Sequence, residues 1–254
     1  IMGVKMQDLD SSNITQKKSF TKQEIFKQKK IMVQNEMSDD LFYHARKSQK
    51  IWREYSFKKR RTYIKKISEY ISSNSDKITN EIKEVTAKTA VDALTTEVIS
   101  CLLACDWYSK NAEKYLKPKK LKNSTVLFAN KRSEISYVPL GVVGIISPWN
   151  YPLAIPFGEI IMGLMAGNAI ILKVATNVQK IGRLIESIIK HAKLPEGLFQ
   201  VIEGSGQEAS NFFFRNKVDK IFFTGSVSVG KQLMKQASET LTPLSLELGG
   251  NDPM

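Results

Sequence analysis

The sequence predicts an α/β fold in which an open, doubly wound sheet is built from mostly parallel strands. From residue 138 onward, short apolar runs alternate with longer amphipathic runs, which is the order of strands alternating with helices. The run Val142–Ser147 is apolar on both faces and rich in β-branched residues, as a buried parallel strand requires. Ligands bind at the carboxyl ends of the strands in such sheets, so the residues found there are candidates for a functional site.

The composition is that of an ordinary globular protein and disfavours several function classes. The 254 residues carry a net charge of +13, but the lysines are spread over predicted helix faces without interleaved aromatic residues, so no nucleic-acid partner is expected. No apolar run reaches the length of a membrane span, and the two cysteines have no disulfide or zinc spacing. We therefore expect a cytoplasmic protein without a metal site or a membrane partner.

The part of the chain before the predicted sheet is expected to be helical, with one hairpin. Residues 1–35 are polar and weakly patterned, which predicts an extension. Apolar periodicity in 36–122 predicts amphipathic helices that start at the N-cap Ser38 and continue at 57–71, 78–88 and 90–115. In the last of these helices, Trp107 is expected to face the core. A β-hairpin arm is predicted at 123–138, with strands at 125–128 and 135–138.

The predicted sheet occupies residues 139–254. After Val142–Ser147, the pattern predicts strands at 169–172, 198–202, 220–223 and 244–248. The predicted connecting helices are 157–167, 178–192 and 229–237.

Each of these strands ends in residues that could carry chemistry. They are Pro148-Trp149-Asn150, Lys173, Gly204 with Gly206, Thr224-Gly225-Ser226, and Glu247 to Gly250. Taken singly, most have an ordinary alternative. The glycine run from Gly204 fits a phosphate loop or a plain turn, Ser226 fits an anion site or a simple N-cap, and Lys173 fits a solvated charge. Glu247 is harder to dismiss, because a carboxylate inside a Leu-Glu-Leu strand end must be paired, exposed in a cleft or altered in its proton affinity. A cleft carboxylate can serve as a general base.

Five segments occur together in the order and spacing of one family. They are PLGVVGIISPWNYP (139–152), Ala-Gly-Asn (166–168), Leu172-Lys173, Phe-Thr-Gly-Ser (223–226) and Leu-Glu-Leu-Gly-Gly (246–250). From about Ser38 to its last residue, the chain resembles the N-terminal, cofactor-binding portion of the NAD(P)-dependent aldehyde dehydrogenase superfamily. The resemblance implies a Rossmann-like core at 139–254 and a hairpin arm that serves oligomerisation in an intact homo-oligomer.

The resemblance also implies roles for individual residues. Asn150 matches the amide that donates a hydrogen bond to the oxyanion of a thiohemiacetal, with a turn asparagine as the alternative. Glu247 matches the base that activates water for deacylation. Lys173 matches the lysine that binds the adenosine ribose hydroxyls, and Ser226 the serine that holds the pyrophosphate. The other expected cofactor contacts are Ser147, Pro148, Trp149, Thr176, Gly206, Phe223, Thr224, Gly225, Val229, Leu248 and Gly249, with Trp149, Leu248 and Gly249 at the nicotinamide and Val229 at the adenine.

Thr176 departs from the family pattern. It stands where the family usually has a glutamate that chelates both ribose hydroxyls and repels a 2′-phosphate. A threonine at this position therefore leaves the coenzyme undecided between NAD and NADP, and the loss of the repelling carboxylate favours NADP.

The cysteines form a second departure. The family's nucleophile lies well beyond the Glu-Leu-Gly-Gly segment, whereas Cys101 and Cys105 precede the first strand and are predicted to be core thiols. The 254 residues thus resemble a cofactor-binding half without its catalytic domain. In the intact enzyme we expect oxidation of a small-molecule aldehyde to a carboxylic acid through a cysteine thioester, with this chain inactive alone. The alternative is a shortened, non-catalytic nucleotide-binding or assembly module. A substrate-phosphorylating or CoA-dependent relative is a remoter possibility, which Glu247 disfavours.

Overall fold

The structure is a computed structural model that describes residues 38–250, apart from 123, 124, 126, 128 and 129. The predicted extension at 1–35 lies outside the described residues, as do Val126 and Phe128 of the predicted hairpin. Nine α-helices lie in the described part: α1 (Asp39–Trp52), α2 (Phe57–Ser73), α3 (Ser75–Thr86), α4 (Ala90–Ala93), α5 (Ile99–Leu116), α6 (Ala154–Met165), α7 (Gln179–His191), α8 (Gly206–Arg215) and α9 (Val227–Thr240). The strands are β1 (Lys119–Leu121), β2 (Ser133–Ile135), β3 (Val142–Ser147), β4 (Ala169–Val174), β5 (Phe199–Val201), β6 (Lys220–Gly225) and β7 (Leu244–Leu248).

Strands β3 to β7 form one parallel sheet in the order β5-β4-β3-β6-β7. Every residue of β3 and of β4 is buried, because these central strands are covered on both faces. The chain moves outward from β3 through β4 to β5, then returns to β6 on the other side of β3. The strand order therefore reverses between β3 and β6, which is where an open α/β sheet forms a crevice. The doubly wound fold predicted from the sequence is confirmed.

Helices cover both faces of this sheet. On one face, α6 packs so closely that a Cβ added at Gly163 would lie 2.6 Å from Cδ1 of Ile170. Gly144 is in register with Ile171, the next residue of β4, and so points to the opposite face. There a Cβ at Gly144 would lie 3.1 Å from the ring of Phe213 on α8. The central strands are thus enclosed between two helical layers.

The N-terminal helices α1 and α2 attach to the carboxyl end of α6. The indole Nε1 of buried Trp52 donates to the carbonyl of Leu164 at 2.8 Å. The buried guanidinium of Arg60 donates to the carbonyls of Met165 and Arg53, both at 2.8 Å, and to that of Trp52. These carbonyls lie at helix ends, where the helix dipole attracts a cation. Burial lowers the pKa of Arg60, and the carbonyls satisfy its donors without a buried carboxylate.

The hairpin arm was placed wrongly by the sequence. The paired strands in the described residues are β1 and β2, antiparallel with Lys119 opposite Ile135, and residues 136–138 of the second predicted strand are not in a strand. Every residue of both strands is exposed, so no buried face selects which residues pair. The helix α8 was not predicted, since its ten residues follow a glycine turn that was interpreted only as a possible phosphate loop.

Trp107 was also placed wrongly, since it is 49% exposed and stacks on Tyr115. The physical reason is that Cys105, two residues earlier on the same helix, is buried, and residues two apart in an α-helix point about 200° away from each other, so both cannot face the core. A five-residue π-helical segment, Leu94–Val98, lies between α4 and α5.

Candidate functional site

The residues singled out in the sequence converge on one cleft at the carboxyl edge of the sheet. The cleft has a volume of about 660 Å³, and all fifteen residues expected to contact the cofactor or take part in catalysis line it, together with Ile146 and Ala175. They come from the ends of β3, β4, β6 and β7 and from the start of α8 and α9. The cleft therefore lies where the reversal of strand order opens the sheet.

The end of β3 presents three different surfaces to the cleft. Ser147 is buried, and its hydroxyl has no hydrogen-bond partner among the described residues. A buried unpaired hydroxyl is costly, so this oxygen is available to a ligand. Trp149 is 63% exposed and gives the cleft an aromatic wall. Asn150 accepts the backbone N–H of Tyr151 through Oδ1 at 3.0 Å. An amide that accepts through its oxygen presents its nitrogen as a donor.

The end of β4 places a cation in the cleft. Lys173 is only 4% exposed, and burial lowers its pKa, an effect that Glu208 partly offsets. Its ammonium group donates to the Thr176 hydroxyl at 3.4 Å, and that hydroxyl donates to the carbonyl of Gly204 at 3.3 Å. Within the described residues, no carboxylate lies in salt-bridge distance of Lys173. This ammonium group is thus held in place with donor capacity to spare.

The turn between β6 and α9 brings a helix N-terminus into the cleft. Ser226 is the N-cap of α9, and its hydroxyl accepts from the N–H of Val229. The first turn of a helix carries amide N–H groups without partners in that helix and a partial positive charge, which together attract an anion. Gly225 must lack a side chain, because a Cβ there would lie 2.6 Å from the ring of Phe223. The glycine lets this turn lie against the aromatic side chain of its own strand.

Strand β7 contributes the carboxylate of Glu247. It is in register with Thr224 of β6, and the side chain is exposed in the cleft. Of the three states that the sequence allowed for this carboxylate, the structure places it in a cleft. This charge also acts on Glu159 of α6. Burial, the larger cause, and the charge of Glu247, the smaller one, raise the pKa of Glu159 to about 7. A second carboxyl group, outside the lining of the cleft, can therefore hold a proton near neutral pH.

Sequence reasoning missed Glu159. It lines a separate, largely apolar cavity of about 350 Å³, next to the aromatic side chains of Trp107, Tyr108 and Phe222. Burial and the nearby Glu159 raise the pKa of Tyr108. The available signal was a lone carboxylate within the apolar segment of α6, but the sequence does not show that the fold buries this carboxylate or that the charge of Glu247 acts on it.

Both cysteines are buried in α5 and stand apart from the cleft lining. Burial raises the pKa of Cys105 to about 12 and that of Cys101 well above its usual range. The prediction of core thiols is confirmed, because neither group is exposed or favoured as a thiolate.

The described part of the chain contains no group of three His, Cys, Asp or Glu side chains that could hold a metal ion. None of its helices combines the length and the apolar character needed to cross a bilayer.

Comparison with known proteins places these features in context. The model of a family described as the aldehyde dehydrogenase family matches residues 8–254. A 4,4'-diapolycopene aldehyde oxidase from Methylomonas sp is 32% identical over 210 residues, which cover 83% of this chain and 39% of that protein. A putative succinate-semialdehyde dehydrogenase [NADP(+)] from Mycolicibacterium smegmatis is 31% identical over 213 residues, covering 84% of this chain and 40% of that one.

The fold has close counterparts among solved structures. The crystal structure of an aldehyde dehydrogenase from Brucella melitensis biovar abortus 2308 matches with a TM-score of 0.79 and 27% identity. The match covers 84% of this chain and 44% of that one. The chain thus spans about two fifths of the length of the curated relatives it matches.

Proposed function

The chain belongs to the aldehyde dehydrogenase family, and from this membership we propose that it forms the NAD(P)-binding part of an enzyme that oxidises an aldehyde to a carboxylic acid. The observation that carries the proposal is the convergence of fifteen candidate residues, far apart in sequence, on one cleft. A shared cleft at the reversal point of the sheet is what a dinucleotide requires.

The cleft residues fit a dinucleotide. Lys173 has spare donors for ribose hydroxyls, and Ser226 with the first turn of α9 suits the pyrophosphate. The unpartnered hydroxyl of Ser147 offers a further polar contact. We assign Trp149 and Leu248, which flank the same cleft, to the nicotinamide end. When bound, the dinucleotide supplies an acceptor for the hydride that leaves the substrate.

Two residues are assigned to the chemistry. Asn150 presents its amide nitrogen because its oxygen is held by the N–H of Tyr151, so it can donate to an oxyanion that develops in the transition state. Such a donor contributes about 3 kcal/mol to barrier lowering. Glu247, exposed in the cleft, can accept a proton from the water that hydrolyses a cysteine thioester.

We infer a preference for NADP from the surroundings of Lys173. The Thr176 hydroxyl accepts a hydrogen bond from this ammonium group. A carboxylate at position 176 would repel a 2′-phosphate, whereas the hydroxyl is uncharged. The relative from Mycolicibacterium smegmatis, named for NADP(+), is consistent with this preference.

Coenzyme titration tests the proposal. Quenching of tryptophan fluorescence should report NADP binding more tightly than NAD, since Trp149 lies in the cleft. Lys173→Met should weaken binding of both by at least about 10-fold, whereas Lys190→Met, at an exposed position on α7, should not.

Thr176→Glu should weaken NADP binding by at least about 10-fold relative to Thr176→Gln, which has the same size without the charge. Equal affinities for NAD and NADP in all variants would contradict the inferred preference, and no binding of either coenzyme would overturn the proposal.

The aldehyde chemistry has its own test. Because Cys101 and Cys105 are buried, we expect the 254 residues alone to bind coenzyme without producing the absorbance of reduced coenzyme when aldehydes are added. Steady turnover by these residues alone would refute the assignment of the nucleophile to a cysteine outside them.

A further inference from the structure

Glu97 is a completely buried carboxylate outside the cleft. It is 0% exposed and lies in the π-helical segment between α4 and α5. A buried carboxylate is costly unless charges and hydrogen bonds compensate it, and π turns occur frequently at functional sites. Glu97 is therefore a candidate for a role in function.

One oxygen of Glu97 caps the helix that follows the Asn150 loop. Its Oε2 accepts the backbone N–H of Leu153 at 3.1 Å and that of Ala154 at 2.7 Å. Ala154 is the first residue of α6, and the N-cap of that helix, Leu153, provides no side-chain cap of its own. The carboxylate thus replaces a local cap from a position 57 residues away in the chain, with a charge that favours the helix N-terminus.

The other oxygen of Glu97 is bound by Lys88. The ammonium nitrogen lies 2.5 Å from Oε1 and 3.9 Å from the centroid of the Tyr151 ring. The ion pair therefore holds the loop after Asn150 at three points: the ring of Tyr151 and the amides of Leu153 and Ala154. Asn150 immediately precedes the first of them, and Tyr151 N–H is also the donor that fixes its side-chain oxygen.

We propose that Glu97 and Lys88 are positioning residues for Asn150: the buried ion pair fixes the loop so that the Asn150 amide points to the reacting oxygen. This inference rests on the proposed function, in which Asn150 is the oxyanion donor. Neither residue lines the cleft, so their effect passes through the loop backbone. Displacing a catalytic group by about 1 Å can lower the rate about 100-fold.

A double-mutant cycle tests the inference, with aldehyde oxidation measured on the full-length gene product. We expect Asn150→Ala to lower kcat by about 100-fold or more. Glu97→Gln, which keeps the shape and loses the charge, should lower kcat by at least about 10-fold without changing the Kd of NADP. In the Asn150→Ala background, Glu97→Gln should cause no further loss. The matched control is Glu69→Gln, which breaks the exposed ion pair with Lys65 and should leave kcat unchanged.

The outcomes separate the two proposals. If Asn150→Ala leaves kcat unchanged, the proposed function fails at that residue. If Asn150→Ala lowers kcat while Glu97→Gln does not, or if the two losses multiply, the positioning role is wrong and the proposed function stands. A general structural defect would also weaken NADP binding, so the unchanged Kd is part of the expected result.

A second variant covers the case in which Glu97→Gln fails to fold. Lys88→Gln keeps a donor to Glu97 and should lower kcat by about 3- to 10-fold, again only when Asn150 is present. It should also speed hydrogen exchange of the Leu153 and Ala154 amides while leaving the buried strand β3 protected. Unchanged exchange at those two amides, or an equal loss of kcat in the Asn150→Ala background, would overturn the inference.

Discussion

Glu159→Gln should remove a specific dependence of stability on pH. Burial, and then the charge of Glu247, raise the pKa of Glu159 from 4.5 to about 7 in the folded chain. Between these values the folded protein keeps a proton that the unfolded chain has already released. The free energy of unfolding must therefore decrease as pH rises through this window, with the full contribution present only below about pH 4.5.

The size of the effect follows from the width of the window. At about 1.4 kcal/mol for each pH unit, the interval from 4.5 to about 7 corresponds to roughly 3 kcal/mol. Glu159 keeps part of its surface exposed, and solvent screening reduces the effect, so we expect about 2 kcal/mol. The neutral amide of glutamine should not show this loss, because it holds no proton that unfolding releases.

Urea unfolding at several values between about pH 5 and about pH 8 measures the effect. The wild-type protein should lose about 2 kcal/mol more than Glu159→Gln over this range. Glu186→Gln, at an exposed position on α7, is the matched control and should follow the wild type. Glu247→Gln should lower the pKa of Glu159 only in part, because burial is the larger cause of its raised pKa. A smaller dependence of stability on pH should therefore remain. Parallel profiles for the wild type and Glu159→Gln would refute the reasoning.

Three further changes have defined outcomes. Ala87 ends α3 with φ of 57°, so Ala87→Gly should raise the free energy of unfolding by about 0.5 to 1 kcal/mol in urea. Gly141 has φ of 127°, and a Cβ there would lie 2.3 Å from Oδ2 of Asp219; Gly141→Ala should cost more than about 2 kcal/mol in the same assay. Cys101 and Cys105, with raised pKa values, should resist a thiol reagent at about pH 8 and both react in urea; rapid reaction of the folded protein would contradict their burial.

The order of strands and helices in the sheet was readable because each element has its own local pattern. The apolar run of β3 predicts a doubly covered strand, since both of its faces are buried. Candidate cleft residues such as Asn150, Lys173 and Glu247 could be named from the ends of those runs, because parallel strands bring their carboxyl ends to one edge. Thr176 and Val229 were named from the family resemblance. The arm strands β1 and β2 could not be located from their pattern, since all their residues are exposed and no buried face sets their register. The prediction for Trp107 was wrong for another reason: Cys105, two residues earlier on the same α-helix, is buried, and residues two apart point to nearly opposite sides of a helix.

By itself, then, the sequence determined the strands of the sheet, its connecting helices except α8, and the residues that follow each strand, because periodicity and strand direction are local properties of the chain. Only the tertiary structure decided which distant charges meet. Glu159 acquires its raised pKa from burial and, second, from the charge of Glu247 on β7, and Glu97 caps a helix that starts 57 residues later. Burial and charge proximity are sums over contacts between remote segments, and no single segment of sequence contains them.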